Sequence, residues 1–192
     1  MQDVMRNQFY KQRSDFELSA IERDKTQVMP EGVSVQTDIP YMNDGDKAHR
    51  MDVYRPEWSE DTTLPVVINI HGGGLLIGSK EFNRFFCAKL SRLGYLVFSI
   101  EYRLVPDCMV FDQFSDVCNA FKYINAHLVE YNGDSGHIYG VADSGGAYLL
   151  TYTAAMAKNR ELAKAAHVKP QKFSFRAIGL ISGMFYTNRF DR

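Results

Sequence analysis

The sequence predicts an α/β fold built on a doubly wound, mostly parallel sheet. Its 192 residues carry a formal net charge of −1, and 45% of them are hydrophobic, which fits one globular domain with a sizeable core. From residue 65 onward, nearly continuous apolar runs of strand length alternate with segments of helical periodicity. Because strand–helix–strand connections are right-handed crossovers, this alternation places consecutive strands parallel, with helices on both faces.

The first part of the chain is predicted to open with a helix and an antiparallel pair of strands. Met29-Pro30-Glu31-Gly32 is a breaker that separates the helix from the strands, and a polar turn at 43–46 joins the two strands. The predicted elements are a surface helix over residues 3–25 and strands over 33–39 and 49–54. We expect residues 1–30 to form an N-terminal helical segment and residues 31–192 to form the core.

The remaining elements are predicted from their periodicity. Val66 to Ile70 is a β-branched run, as in a strand that is buried on both faces. The other predicted strands cover residues 95–100, 137–141 and 176–181, and the predicted helices cover about 81–93, 111–130 and 145–166. Ligands of such sheets bind outside the carboxyl ends of the strands, so the functional residues should follow Ile70, Ile100 and Val141.

A serine stands at the junction between the predicted strand ending at Val141 and the next helix. The segment reads Ala142-Asp143-Ser144-Gly145-Gly146 and approximates the pattern G-x-S-x-G, in which small neighbours allow a nucleophile to stand on a sharp turn. A helix N-terminus also favours a developing anion. The alternative interpretation is that Ser144 merely caps the helix.

A run of three glycines follows the strand that ends at Ile70. In His71-Gly72-Gly73-Gly74, the absence of Cβ atoms lets backbone N–H groups approach a ligand closely. Such a loop can supply donors to an oxyanion, with the N–H of Gly145 as a further donor. The alternative is a plain flexible turn.

Together, these motifs resemble those of the hormone-sensitive-lipase-like carboxylesterases. HGGG, then Glu101-Tyr102-Arg103-Leu104-Val105-Pro106, then ADSGG occur in the order typical of that family, and the resemblance covers roughly residues 33–185. Glu101, Asp107, Ala142 and Gly145 depart from its usual Asp, Glu, Gly and Ala. The resemblance implies an α/β-hydrolase fold and esters of short to medium acyl chains as substrates, with no cofactor and no metal.

The resemblance also implies roles for individual residues. Ser144 would be the nucleophile, and Gly72, Gly73 and Gly145 would form the oxyanion hole. His71, Gly74, Asp143 and Gly146 would support the motifs, His71 as a residue that orients the loop by hydrogen bonding. Tyr102 and Arg103 would be structural supports of the elbow.

The acid and base of a Ser–acid–His triad are not found after Ser144, where this fold would place them. The acids there are Glu161 and Asp191, and the histidine is His167. On one continuous helix, Glu161 would lie roughly 25 Å from Ser144 and His167 roughly 30 Å or more, whereas a general base must lie within about 3 Å. We therefore expect a fragment of a longer enzyme that lacks the last two strands of the sheet.

Several expectations about partners follow. A sheet that ends at the 176–181 strand would expose an apolar edge, through which a homo-oligomer could form. The weak net charge predicts no nucleic-acid partner, and no apolar run is long enough to predict a membrane span. Cys87, Cys108 and Cys118 form no metal-type cluster and favour a cytoplasmic setting.

Two alternative functions stay open at this point. One is a non-catalytic binding or interaction protein derived from a hydrolase. The other is an arylformamidase or peptidase of the same fold, because acyl specificity lies in loops that the motifs do not define.

Overall fold

The structure is a computed structural model that describes residues 2–169 and 174–185. Six strands form one sheet: β1 Val33–Pro40, β2 Arg50–Pro56, β3 Leu64–Ile70, β4 Leu96–Ile100, β5 Gly133–Asp143 and β6 Ala177–Ile181. Their order across the sheet is β1-β2-β4-β3-β5-β6. β2 is antiparallel to both β1 and β4, and the neighbouring pairs from β4 to β6 are parallel. This arrangement confirms the predicted, mostly parallel sheet with an antiparallel opening pair.

The described helices are α1 Gln2–Asp24, α2 Arg84–Arg92, α3 Val110–His127, α4 Ser144–Met156 and α5 Arg160–Ala165. The prediction of one helix over residues 145–166 was wrong. The first helix, α4, ends at Met156. The side chain of Asn159 then accepts hydrogen bonds from the backbone N–H groups of Glu161 and Leu162, which caps the N-terminus of α5. A short 3-10 turn, Lys80–Asn83, precedes α2.

Helices cover both faces of the sheet, as the alternation of side chains requires. Val66, Ile68 and Ile70 on β3 pack in the larger core cluster, which includes the buried residues of α3 and α4. Val67, between them, points to the other face and packs in a smaller cluster with Cys87 and Ala88 of α2. This period of two, with apolar layers on both faces, is the reason that the β3 sequence is apolar apart from Asn69.

All three cysteines are free thiols. Burial raises the pKa of both Cys87 and Cys118 to about 12 and that of Cys108 to about 11. Because the thiolate is the reactive form, these side chains act as small apolar groups.

β6 lies at the edge of the sheet. In the described part of the chain it pairs with β5 alone, and its Ile178 and Ile181 are exposed. A homo-oligomer formed through this edge stays a prediction. Asp191 lies outside the described residues. Within the described ranges, no helix combines the length and apolarity needed to cross a membrane.

Candidate active site

Ser144 lies at the turn between β5 and α4, at the carboxyl edge of the parallel strands. Its φ is +46°, a left-handed conformation that is uncommon for residues other than glycine. Within the described part of the chain its hydroxyl makes no hydrogen bond, and it is Asp143 that holds the N-cap position of α4. The side chain of Ser144 is thus held on a sharp turn without capping the helix.

Gly146, two residues after Ser144, is required to be a glycine by close packing of the turn that carries Ser144, which we call the elbow. A Cβ at Gly146 would lie 2.3 Å from the carbonyl oxygen of Ile70 and 2.4 Å from that of His71. The start of α4 therefore sits directly against the end of β3, and this contact brings the elbow beside the glycine loop.

The glycine loop turns through three consecutive left-handed residues. Gly73, Gly74 and Leu75 have φ values of +120°, +60° and +70°. The carbonyl of Leu75 accepts two hydrogen bonds, from the backbone N–H of Val105 at 3.0 Å and from Nε2 of Gln113 at 2.9 Å. These two bonds hold the non-glycine residue of the turn in its unusual conformation.

The amides of this loop differ in their availability. The N–H of Gly72, a predicted oxyanion-hole donor, donates to Oδ1 of Asp143 at 3.1 Å, so in this structure it is occupied by a protein acceptor. Among the described residues, the amides of Gly73, Gly74 and Leu75 have no acceptor. A Cβ built at Gly145 would lie 3.2 Å from the nitrogen of Gly74 and 2.9 Å from that of Leu75. Free amides of the loop therefore lie next to the residue that follows Ser144.

His71 is buried beneath the loop, and both of its ring nitrogens face acceptors. Nδ1 lies 2.8 Å from the carbonyl oxygen of Gly72, and Nε2 lies 2.8 Å from Oε1 of Glu101. Burial alone lowers the pKa of His71, but the charge and hydrogen bond of Glu101 outweigh it, so the pKa lies above its ordinary value. A doubly protonated ring satisfies both acceptors at once. This position fits a residue that orients the loop.

Glu101 connects His71 to two further segments. Its Oε1 accepts the backbone N–H of Tyr102 at 3.1 Å, and its Oε2 accepts that of Lys80 at 3.0 Å. The ring of Tyr102 stacks on His71 with centroids 4.3 Å apart, and its hydroxyl donates to the carbonyl of His71 at 2.8 Å. The segment after β4 therefore supports the glycine loop from below.

Arg103 also supports the site rather than lining it. Its guanidinium donates to both carboxylate oxygens of the buried Asp116, at 2.9 and 2.7 Å. Asp116 belongs to α3, so this fork fixes the segment after β4 against that helix.

A network of three supporting residues, Asn83, Asn69 and Ser99, was not predicted from the sequence. Asn83 donates from Nδ2 to Oδ1 of Asp143 at 2.9 Å, and also lies 3.2 Å from Oδ1 of Asn69. Asn69 in turn donates to the hydroxyl of Ser99 at 3.0 Å. Asn69 and Ser99 interrupt the apolar strands β3 and β4, and a polar residue in such a strand is the signal that could have identified this network.

Gln113 was also missed. It is fully buried on α3, and its Nε2 donates to the carbonyls of Leu75 and Arg103, at 2.9 and 2.8 Å. It stands four residues before Val117 on the apolar face of α3, so its helical position could have indicated a buried polar contact.

None of the five histidines is hydrogen-bonded to Ser144 within the described residues. His49 pairs with Asp44, His127 with Glu130 and His137 with Asp134, His71 pairs with Glu101, and His167 follows the end of α5. The structure thus brings Ser144 together with the glycine loop but not with a histidine.

A serine on a sharp turn between a parallel strand and a helix, beside a glycine loop that follows a neighbouring strand, is typical of the α/β-hydrolase fold. The BD-FAE family matches residues 51–185, and the chain belongs to this family.

Curated relatives and solved structures include several esterases. The chain is 31% identical over 105 residues to a probable isoprenylcysteine alpha-carbonyl methylesterase of Arabidopsis thaliana, across 55% of this chain and 22% of that protein. It is 31% identical over 123 residues to the probable carboxylic ester hydrolase LipM of Mycobacterium tuberculosis, across 59% of this chain and 28% of that protein. The crystal structure of esterase B from Lactobacillus rhamnosis superposes with a TM-score of 0.90 at 26% identity, across 95% of this chain and 59% of that one. The matched regions make up 22%, 28% and 59% of the lengths of these three proteins, which is less than two thirds of each.

Proposed function

We propose that Ser144 is the nucleophile of a carboxylic ester hydrolase that acts on short to medium acyl esters through an acyl-enzyme. The observation that carries this proposal is the left-handed Ser144 at the start of α4, with free amides of the glycine loop beside Gly145. A hydroxyl nucleophile and preorganised N–H donors are the two parts that acyl transfer needs at one point.

In the proposed reaction, Oγ of Ser144 attacks the ester carbonyl carbon while its proton passes to a general base. The carbonyl oxygen becomes an oxyanion, and we assign the amides of Gly73, Gly74 and Gly145 as its donors. The tetrahedral intermediate then collapses, and the alcohol leaves with a proton. Water repeats the sequence on the acyl-enzyme and releases the carboxylic acid.

In this proposal, the amide of Gly74 rather than that of Gly72 donates to the oxyanion. The amide of Gly72 is engaged with Asp143, whereas that of Gly74 is unoccupied and close to Gly145. Gly72 and Asp143 then act together as a brace between the glycine loop and the elbow.

Related proteins support an ester as the substrate. Esterase B from Lactobacillus rhamnosis has been crystallised with a tributyrin phosphonate inhibitor, and that structure superposes on this chain with a TM-score of 0.89 at 26% identity. A phosphonate that forms an adduct with a serine mimics the tetrahedral intermediate, so it is a suitable probe for Ser144.

The proton acceptor in this proposal is not one of the five histidines in their present positions. His71 and His49 are buried and pair with carboxylates. His127 pairs with Glu130 and His137 with Asp134, and His167 follows the end of α5. A serine hydrolase without its base keeps only a small residual rate, so we expect weak turnover from these 192 residues by themselves.

The proposal is tested with a fluorophosphonate probe on the protein at its natural length. We expect the probe to label the wild type and the Ser144→Ala variant to lose the label. Ser182 is a matched control, since it is a serine with a φ of +49° that follows the edge strand β6. Ser182→Ala should label like the wild type.

Persistent labelling of Ser144→Ala would refute the assignment. A series of p-nitrophenyl esters with increasing acyl length then tests the substrate class. Absence of ester turnover together with labelling at Ser144 would instead favour an amide or formamide substrate for the same site.

A further inference from the structure

Arg13, on the N-terminal helix α1, makes contact with both segments that frame the candidate active site. Its Nε donates to the carbonyl of Leu76 at 3.1 Å, and its Nη2 donates to the carbonyl of Val105 at 3.0 Å. Its Nη1 pairs with Oδ2 of Asp107 at 2.9 Å. Although it lies on a largely exposed helix, the side chain is only 19% exposed. All three donor nitrogens of the guanidinium are thus engaged.

The carbonyl of Leu76 belongs to the strained end of the glycine loop. Leu75 is left-handed, and the amides of Leu76 and Ile77 both donate to the carbonyl of Gly73, which closes the turn. Left-handed backbone is unfavourable for leucine, so this turn persists only where its surroundings hold it. Val105 and Gln113 hold the carbonyl of Leu75, and Arg13 holds the next carbonyl along the chain.

We infer that Arg13 is a positioning residue that keeps the free amides of Gly73 and Gly74 aligned beside Gly145. This inference rests on the proposed function, because it assigns Arg13 a purpose in oxyanion binding. In this role, α1 contributes to the geometry of the candidate active site. Arg13 does not touch substrate in this role, and acts through the Leu76 carbonyl.

The planar fork of arginine is needed for these contacts. Leu76, Val105 and Asp107 are reached by three different nitrogens of one guanidinium, and an ammonium group has a single nitrogen. The guanidinium also lies over the ring of Tyr10, 5.4 Å from its centroid. Tyr10 donates a hydrogen bond to Asp107, so the same carboxylate fixes both residues of α1.

The test compares Arg13→Ala and Arg13→Lys with two control variants. Arg6→Ala removes another arginine of α1, which approaches Asp107 at 3.9 Å without a bond to either loop carbonyl. Arg23→Ala loosens the far end of α1, where Arg23 donates to the carbonyl of Phe82. Circular dichroism establishes that each variant is folded, and Arg13→Gln replaces an Arg13 variant that is not.

Two readouts are measured on the protein at its natural length. Hydrogen exchange at the bonded amides of Leu76, Ile77 and Val105 reports the order of the loop without any chemistry. Fluorophosphonate kinetics separate the inactivation rate constant from the affinity for the probe. For both Arg13→Ala and Arg13→Lys we expect exchange about tenfold faster and inactivation about tenfold slower, with affinity nearly unchanged.

The controls decide between positioning and general docking of α1. Arg6→Ala and Arg23→Ala should exchange and react like the wild type. The inference is overturned if Arg13→Lys restores wild-type values, since a charge pair with Asp107 would then suffice, or if Arg23→Ala has the same effect as Arg13→Ala. Persistent labelling of Ser144→Ala would refute the proposed function, whereas unchanged exchange in Arg13→Ala would refute only the role of Arg13.

Discussion

The backbone amide of Gly72 donates to the carboxylate of Asp143 across 3.1 Å, although the two residues are 71 positions apart in the chain. Gly72 follows β3 and Asp143 immediately precedes Ser144. A Cβ at Gly72 would lie 2.1 Å from Oδ2 of Asp143, so only glycine allows this approach. One hydrogen bond thus joins the glycine loop to the turn at Ser144, and it occupies the amide of Gly72.

Asp143→Ala tests this brace. The substitution leaves the buried amide of Gly72 and Nδ2 of Asn83 without their shared acceptor, so we expect the free energy of unfolding to fall by about 2 kcal/mol in a urea titration. Asn83→Ala removes one donor and leaves the other bond intact, so its effect should be smaller. An equal loss in both variants would contradict a brace centred on Gly72.

Gly146→Ala tests the packing of the elbow on β3. Its Cβ would overlap the carbonyls of Ile70 and His71, both of which are backbone atoms that cannot rotate away. We expect destabilisation of roughly 3 kcal/mol or more, measured by thermal unfolding. Gly179→Ala is the matched control, because its Cβ would meet no atom closer than 3.7 Å. A wild-type melting temperature for Gly146→Ala would show that the elbow is not held in this way.

Ser144→Gly tests the backbone strain at Ser144, the proposed nucleophile. Both Ser144→Gly and Ser144→Ala should lose fluorophosphonate labelling, but at a φ of +46° we expect the glycine variant to be more stable than the alanine variant by about 1 kcal/mol. Thr151, within α4, should show the opposite order, because glycine in a helix interior is less stable than alanine by about 1 kcal/mol. The same order at both positions would argue against a strained elbow.

The pair of His71 and Glu101 predicts a dependence of stability on pH. Because the pKa of His71 is raised in the folded state, the pair's contribution is complete below the ordinary histidine pKa of about 6.5 and is lost as the pH rises through the folded value. We expect urea unfolding of the wild type to show this loss as the pH is raised above about 6.5.

Glu101→Gln is the control for this titration. A neutral side chain does not favour the charged ring of His71, so the pKa of His71 should fall. The loss of stability with rising pH should therefore diminish. The stability difference between the wild type and Glu101→Gln should therefore be larger at pH 6 than at pH 9. A constant difference across this range would show that the charge of His71 does not couple to folding.

Much of the fold could be predicted because its elements are marked by local patterns. The alternation in Val33–Ile39 and the nearly continuous apolar run in Val66–Ile70 report how many faces of each strand are buried. The break between α4 and α5 was missed because Ala157-Lys158-Asn159 carries neither glycine nor proline. Asn159 instead begins a new helix as the N-cap of α5, and a single side-chain cap is a weak signal of a helix boundary in a sequence.

Ser144 and the glycine run could be recognised because a sharp turn and a close backbone approach each require particular residue types at fixed spacing. Gln113, Asn83 and Arg13 could not be assigned in the same way. Their partners are backbone carbonyls or side chains on other elements, and such contacts leave no periodic trace near the residue itself.

The sequence by itself determined the order of strands and helices, the identity of the elbow serine and the presence of a glycine loop, because each depends on backbone conformation within a few residues. Only the tertiary structure decided which amides of that loop are free. The register between β3 and β5 brings Asp143 to Gly72. The packing of α1 brings Arg13 to the carbonyl of Leu76, and the packing of α3 brings Gln113 to that of Leu75. Hydrogen-bond donors are assigned by distance in space, and those distances exist only after the strands have paired.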